Sequence, residues 1–563
     1  MSCSISTTGS YCQRKGRSGL SNELTGRIIR VWENVQPTLD EDGAIGGNAD
    51  AHQVVVRSIA TVATRVETLR AFSAYVKSHG ASLSWVESAE RLFASDAIDL
   101  IAQEPCITGL LPEAHQEIES LKSDPAYVST FDRIPHYTTI GSELLGSTAA
   151  NDRPIPTESG DDSDERELRS STRKLAQEIV APLAEEIHRQ DLLIPDEIID
   201  QMIEMGYFGL SIPEEYDGVG MSNLMMVLAT EELSAASLGA AGSLMTRPEI
   251  LSKALLKGGT EDQKSYWLPR IASGECMVGI SVTEPNTGSD VASVSCKATA
   301  TKRERDGEAG FLINGAKAWC TFAGRANTLA LLARSEDNPA LGHKGLSLFI
   351  VEKDSFEGHE FEMKQPGGGT LTGKADATLG YRGMHSYTLQ FDNYFVPAKN
   401  LVGEEGGQGR GFYLQMDGFS VGRLQTGGRA VGLAQAALEA TATYANERPQ
   451  FGKPIAEYQN TQYEVGKMAV DIEAARQLTY SSARAMDRGD KDASLLASMA
   501  KLFACRVAVN ATQRGQLMHG GWGYAEEYPI SRYVVDALVL PIFEGVEPIL
   551  EMKVIGRAIL AGR

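Results

Sequence analysis

Cysteine is scarce in this chain of 563 residues, and what there is does not pair. Cys3, Cys12, Cys106, Cys276, Cys296, Cys320 and Cys505 are odd in number and scattered, with no CxxC among them. That pattern excludes a disulfide framework and a cysteine-built zinc site, and it fits a reducing compartment. Positive charge is also short: 53 Lys and Arg against 74 Asp and Glu leave a formal net charge of -21 and a pI near 5.0. The resulting field repels phosphates, which argues against nonspecific binding to nucleic acid or an anionic membrane. An anionic ligand would need local arginines or helix N-termini to override it. Hydrophobic residues make up 42% of the chain, yet no apolar run reads as a membrane span and the opening residues lack the apolar core of a secretory signal. The opening is Ser-rich instead, with Arg14, Lys15 and Arg17 ahead of the first acidic residue, Glu23, a faint likeness to a mitochondrial transit segment. A plain flexible tail and a cytoplasmic location are the expectation, with the mitochondrial matrix second.

What is present is length and a change of texture along it. The chain accommodates about three or four domains. Residues 1 to about 22, rich in Ser, Gly and Thr, read as disordered. From Asn22 to about Leu145 the pattern is helical: Val54, Val55, Ile59, Val62, Ala63, Val66 and Leu69 recur every three or four residues and form one apolar face. The polar stretch from Gly146 to Asp164 reads as a linker. Helical patterning resumes from Glu165 to about Glu275. Residues 277–283, 345–351 and 386–391 then read as strands, and residues 310–313 are expected to meet 316–319 across the hairpin dipeptide Asn314-Gly315. From about Gly411 the chain is helical again, with Val465, Met468, Ala469, Ile472, Ala475 and Leu478 in one stripe, as in a bundle. The expected division is a helical extension with its linker (1–164), an α-helical domain (165–276), a β-domain (277–400) and a C-terminal helical bundle (401–563).

Several segments carry chemistry. In Leu540-Pro541-Ile542-Phe543-Glu544-Gly545-Val546, one carboxylate sits in an apolar run. A carboxylate that loses hydration becomes a stronger base toward a weakly acidic carbon, which makes Glu544 a candidate catalytic base; a helix-end glutamate is the plainer alternative. The turn Val282-Thr283-Glu284-Pro285-Asn286-Thr287-Gly288-Ser289-Asp290 can aim backbone N–H groups and hydroxyls at a polar ligand, or be an ordinary β-turn capped by Asp290. Trp319 and Thr321 alternate along a strand and so share a face, where an indole and a hydroxyl could meet one planar ligand; a core tryptophan is the alternative. Arg448, in Arg448-Pro449-Gln450-Phe451-Gly452-Lys453-Pro454, offers a guanidinium to a pyrophosphate. The stretch Gln516-Leu517-Met518-His519-Gly520-Gly521-Trp522-Gly523 offers an amide and close backbone approach. His519 reads as structural: no second histidine or cysteine stands at ligand spacing, and no metal site is expected.

Taken together and in this order, these segments resemble the acyl-CoA dehydrogenase family of flavoenzymes over about Glu165 to Arg563. The resemblance implies a multidomain α+β fold: an N-terminal α-helical domain, a middle β-domain and a C-terminal four-helix bundle, here preceded by an additional helical extension. It implies FAD as cofactor, an acyl-CoA substrate, electron-transferring flavoprotein as electron acceptor, and a homo-oligomer, dimer or tetramer. By the same resemblance Glu544, within Phe543-Glu544-Gly545, is the catalytic base. Ile280, Val282, Thr283 and Ser289 match the strand and turn that hold the flavin, and Trp319 and Thr321 the residues packed against its ring. Arg448, Gln450 and Phe451 match the segment that reaches FAD from the neighbouring subunit, with Gln459, Gln516 and Gly520 toward its adenosine end. Arg423 matches the helix arginine near the CoA moiety, with Ser289, Phe543 and Gly545 also placed against substrate. Some branched-chain members put the base immediately before that arginine; Gly422 stands there and cannot act as one.

Three features depart from the common pattern. Val546 and Glu547 replace the usual Thr-Ser, the insert around Gln365–Lys374 is long, and residues 1–164 lie outside the shared core. The extension, together with residues 245–248 and 380–387, resembles the (2S)-methylsuccinyl-CoA dehydrogenases within the family. The substrate so implied ends in a free carboxylate, which cannot be buried without a basic partner. Arg247 is the expected partner, with Arg382 and His385 as alternatives and a surface-helix role for Arg247 equally open. An acyl-CoA oxidase and a flavin-binding scaffold without turnover are the rival readings.

Overall fold

The computed structural model describes residues 14–40, 43–79, 85–146, 163–304 and 306–562. The expected linker therefore lies outside the described residues over 147–162, as does the opening of the chain through residue 13. A helix, Arg14–Val35, begins within the stretch read as a disordered tail.

The β-domain is one sheet of eight strands: β1 (Val278–Ser281), β2 (Lys297–Lys302), β3 (Ala309–Thr321), β4 (Thr328–Arg334), β5 (Leu346–Glu352), β6 (Glu360–Lys364), β7 (Thr370–Ala375) and β8 (Ser386–Pro397). Their order is β1-β4-β2-β3-β8-β7-β6, with β5 paired to β4. The Asn314-Gly315 hairpin does not form. β3 runs straight through it, and the ladder to β8 shifts register between Ile313 and Gly315. Gly315 takes φ 135, and a Cβ there would stand 2.9 Å from Cys296 Cα, so the glycine is required by close approach within a bulge. Asn314 Oδ1 accepts from the Asn393 N–H at 2.9 Å, which completes the bulge from the facing strand. A turn dipeptide inside a strand pattern has these two outcomes, and pairing with a distant strand decided between them. The insert around Gln365–Lys374 supplies the loop joining β6 to β7, residues 365–369, and most of β7 itself.

Helices flank the sheet. Gly411–Glu447, Gln459–Asp487 and Ala493–His519 form the C-terminal bundle with Ile530–Ala537, and Asn223–Ala236 of the preceding helical domain lies against it. A buried ionic cluster joins these layers. Arg476 Nε donates to Glu231 Oε1 at 3.1 Å, Tyr480 donates to Glu231 Oε2 at 2.6 Å, and Arg476 Nη1 donates to Glu473 at 2.5 Å. Two arginines facing Glu231 outweigh its burial and hold its pKa below the usual carboxylate range. Contrary to expectation, Ala493–Tyr524 is apolar and long enough to cross a membrane, though most of it is buried in the bundle, as in the core helix of a globular protein.

The extension is not a separate body. Its Gln53–His79 helix buries Ile59, Val62, Val66 and Leu69 as the periodicity requires, while Val54 stands 61% exposed at the helix start. That helix and Arg133–Gly146 pack on Gln459–Asp487. The second crossing is so close that a Cβ on Gly141 would lie 1.8 Å from the Gln462 carbonyl oxygen, and one on Gly466 2.0 Å from that of Tyr137. Both positions therefore need glycine. Phe93 meets Phe503 edge-on at 5.8 Å, and Arg65 lies over both rings. The extension and the bundle thus share one apolar core, which is the partner its helical face requires.

Candidate active site

Between Ile530–Ala537 and Glu547–Ile549 the chain turns, with Glu544 at φ 53 and Gly545 at φ 104. A non-glycine residue in the left-handed region costs roughly 1 kcal/mol or more and persists only where its surroundings hold it. Here Arg423 Nε donates to the Glu544 carbonyl at 3.2 Å and Lys501 Nζ donates to the Gly545 carbonyl at 2.7 Å. Burial lowers the pKa of both cations, and the Glu544 charge opposes that. Lys501 was missed in the sequence, where the one signal was a lone lysine within the apolar run Ala497–Cys505. The Glu544 side chain faces Gly422: a Cβ on Gly422 would stand 3.0 Å from Oε2. Among the described residues the buried Oε2 has no hydrogen-bond partner and the Glu544 N–H has no acceptor. The turn therefore presents a partnerless carboxylate oxygen beside a free N–H donor.

A second charged pole lies one residue away. Phe543 carries the Arg429 guanidinium 4.7 Å from its ring centroid and meets Tyr381 edge-on at 5.5 Å. Arg429 is fully buried, donates from Nη1 to Ser243 Oγ at 3.0 Å and leaves Nε without a partner. Burial lowers its pKa, with the neighbouring Arg247 acting the same way and Tyr381 and Glu544 opposing. Arg247 is 4% exposed, not a surface residue, and donates to the Ser243 backbone carbonyl at 3.1 Å. Neither arginine has an ion-pair partner among the described residues. Arg382 and His385, the alternatives, turn elsewhere, toward Asp191 at 3.2 Å each. Arg429 was also missed; its signal was a charge inside the long Gly- and Ala-rich helix. The Tyr381 hydroxyl, Gln425 Nε2 and both polar atoms of Gln415 are likewise buried without partners.

On the β-domain side, Ile280 lies on β1 and Val282 and Thr283 follow it. The expected turn forms, with Glu284 and Thr287 exchanging backbone hydrogen bonds at 2.9 and 3.0 Å, and Ser289 exposed. Glu284 and Lys317 pin it. Lys317 Nζ, fully buried, donates to the Val282 carbonyl at 2.9 Å and to Glu284 at 3.0 Å. The argument from strand alternation at Trp319 and Thr321 fails. β3 carries a bulge between Lys317 and Cys320, Trp319 takes φ 57 and stands 59% exposed, and Thr321 is buried against Ser386 at 3.1 Å. The extra residue of a bulge re-aims the indole outward.

The remaining predicted residues gather elsewhere. A cavity of about 560 Å³ is lined by Arg448, Gln450, Gly520, Tyr444, His519 and Trp522 among others. Phe451, at φ 51, is the 96% exposed tip of the adjoining hairpin. Gln516 Nε2 donates to the Gly523 carbonyl at 3.1 Å and fixes the glycine cluster, whereas Gln459 is exposed outside the cavity lining. His519 stacks on Tyr444 at 4.2 Å and meets the Gly515 carbonyl oxygen at 2.7 Å, a packing role. None of Glu544, Trp319 and Thr321 lines this cavity.

A helical domain, a β-domain and a helical bundle, with a carboxylate whose Oε2 is buried, define a class, and comparison with known proteins agrees. Family models described as the N-terminal, middle and C-terminal domains of acyl-CoA dehydrogenase match residues 162–275, 279–394 and 409–560. The chain belongs to the acyl-CoA dehydrogenase family, whose members are flavoprotein oxidoreductases. It is 44% identical over 403 residues to the (2S)-methylsuccinyl-CoA dehydrogenase of Cereibacter sphaeroides, covering 71% of this chain and 70% of that one. It is 35% identical to an acyl-CoA dehydrogenase of Bacillus subtilis, covering 70% of this chain and 97% of the relative. Butyryl-CoA dehydrogenase from Megasphaera elsdenii superposes with a TM-score of 0.64 at 29% identity, over 72% of this chain and 100% of that one.

Proposed function

We propose that this protein dehydrogenates a short, branched acyl-CoA thioester ending in a carboxylate, with (2S)-methylsuccinyl-CoA to mesaconyl-CoA as the reference reaction. The observation that carries this reading is the pair of buried guanidiniums, Arg247 and Arg429, meeting at Ser243 beside Phe543 with no ion-pair partner among the described residues. An apolar acyl tail would leave that charge uncompensated, at a cost of several kcal/mol. A terminal carboxylate would offset it, and because Arg429 lies over the ring of Phe543, the chain neighbour of Glu544, that carboxylate would sit close to the proposed base.

The residues present fit FAD. Trp319 presents an exposed indole, Thr321 two residues on pairs its hydroxyl with Ser386, and the groove at Arg448 has the cation and glycines that a pyrophosphate needs. When bound, FAD supplies an acceptor for the hydride leaving the β-carbon. The chain's own residues do the rest. Glu544 takes the α-proton with an oxygen that no other group occupies. Its N–H is placed to stabilise charge on the thioester oxygen, a contribution on the order of 3 kcal/mol per donor in a water-poor site. Arg423 and Lys501 hold the turn so that acid and N–H stay aligned. Because the Arg448 groove and Glu544 are separate features of one chain, a homo-oligomer in which each subunit completes its neighbour's cofactor site is part of this reading, supported by the exposed Phe451, Leu517 and Tyr524. Electron-transferring flavoprotein is the proposed acceptor.

Turnover on short acyl-CoA thioesters with and without a terminal carboxylate, measured with and without oxygen, tests the proposal. Preference for the dicarboxyl, α-branched thioester with an external acceptor is expected. Equal turnover of the monocarboxyl series would overturn the substrate, oxygen-dependent turnover would favour an oxidase, and unchanged flavin absorbance on adding every thioester would leave a scaffold.

A further inference from the structure

The segment that carries Tyr381 into the active site continues to His385, where it meets the helical domain. Asp191, at φ 56, closes the helix Ala181–Arg189, and His385, 4% exposed, immediately precedes β8. His359 precedes β6 and is exposed. The ligand-capable atoms of these three residues all lie within 4.8 Å of one another, and the two imidazole rings are 4.5 Å apart at an interplanar angle of 35°.

The contacts of His385 require a cation. Its Nδ1 lies 3.2 Å from the Gly383 carbonyl oxygen and its Nε2 lies 3.2 Å from Asp191 Oδ1. A neutral imidazole has one N–H and one lone pair, so only one of these contacts can be a hydrogen bond; the other sets lone pair against lone pair. A second proton or a bound cation would satisfy both. A metal ion between Nε2 and the carboxylate resolves the conflict, with Nδ1–H donating to the carbonyl as a metal-bound histidine commonly does. The spacing agrees: two ligands about 2.0–2.1 Å from one tetrahedral zinc are roughly 3.3 Å apart. Arg382 also faces the cluster, with Nε 3.2 Å from the same Asp191 oxygen. Anchored through Nη1 to the His188 carbonyl at 2.9 Å, it holds a positive charge against the carboxylate.

We propose that Asp191, His359 and His385 form a site for a borderline divalent transition ion, zinc as the reference, that clips the helical domain to the β-domain beside the active site. Three protein ligands of this N,N,O kind leave a fourth position for water on the exposed His359 side. The five described cysteines are buried and do not compete. The ligands come from segments more than 20 residues apart in the chain, which is why sequence spacing showed no site.

The test uses chelator-treated holoenzyme titrated with Zn²⁺ by calorimetry, and with Co²⁺ by visible absorption. Wild type should take up one equivalent saturably, and Co²⁺ should develop the bands of a low-coordinate site. His359→Ala, at an exposed position that does not endanger folding, and Asp191→Asn should each weaken Zn²⁺ binding roughly ten- to hundredfold and abolish the Co²⁺ bands. Absence of saturable binding to wild type, or equal binding by both variants, would overturn the proposal.

Discussion

Replacing Glu544 by Gln removes the proposed base and preserves the side-chain volume. Oε2 accepts no hydrogen bond from the protein, so the isosteric amide breaks no contact, and the turn stays clamped through its carbonyls by Arg423 and Lys501. A positioned general base contributes about 10²- to 10⁴-fold, which is about 3 to 5 kcal/mol of barrier. In anaerobic stopped-flow, mixing the flavin-loaded variant with a short dicarboxyl thioester should bleach the flavin slower by that factor, with thioester affinity within a few-fold of wild type. The melting temperature should stay within a few degrees of wild type, because the substitution keeps the side-chain volume and removes no hydrogen bond made by Oε2. A Glu544→Gln enzyme with full flavin content and more than a tenth of wild-type bleaching would refute the assignment of the base.

Arg429→Met should raise KM for a dicarboxyl thioester roughly 100-fold or more, leave a monocarboxyl one nearly unchanged, and stabilise the substrate-free protein by about 1 kcal/mol or more, because a buried charge without an anion costs more than a packed methionine; a loss of affinity equal for both substrates argues against carboxylate recognition. Gly466→Ala forces a Cβ to within 2.0 Å of the Tyr137 carbonyl, so the extension must part from the bundle, at a cost of roughly 1–3 kcal/mol that urea unfolding measures. Glu249, buried with both oxygens unpartnered, has its pKa raised to about 7 by burial. Its folded value lies above the ordinary 4.5, so protonation favours the native state: the benefit is complete below the unfolded pKa and lost as pH rises through about 7. Glu249→Gln should therefore stabilise the protein at pH 8 by on the order of 3 kcal/mol and flatten thermal stability between pH 4.5 and 7; an unchanged pH profile counts against that burial.

The order of helical, β and helical regions was legible because each has its own apolar period, and the Gln53–His79 and Gln459–Asp487 stripes reappear as buried faces. Single positions were less legible. Asn314-Gly315 and Trp319 both sit at bulges, where one unpaired residue alters which way side chains point, and local pattern carries no record of the partner strand's register. Lys501 and Arg429 were passed over because a lone charge in an apolar helix looks like an interruption until the helix facing it is known.

Composition and motif order by themselves determined the family and the poverty of positive charge that makes buried arginines informative, and they pointed to Glu544 as the candidate base. Only the tertiary structure decided what those arginines face, that the extension shares the bundle's core, and that Asp191, His359 and His385 converge. Periodicity reports which side of an element is buried, but the identity of the group across the interface depends on chain crossings that no local interaction encodes.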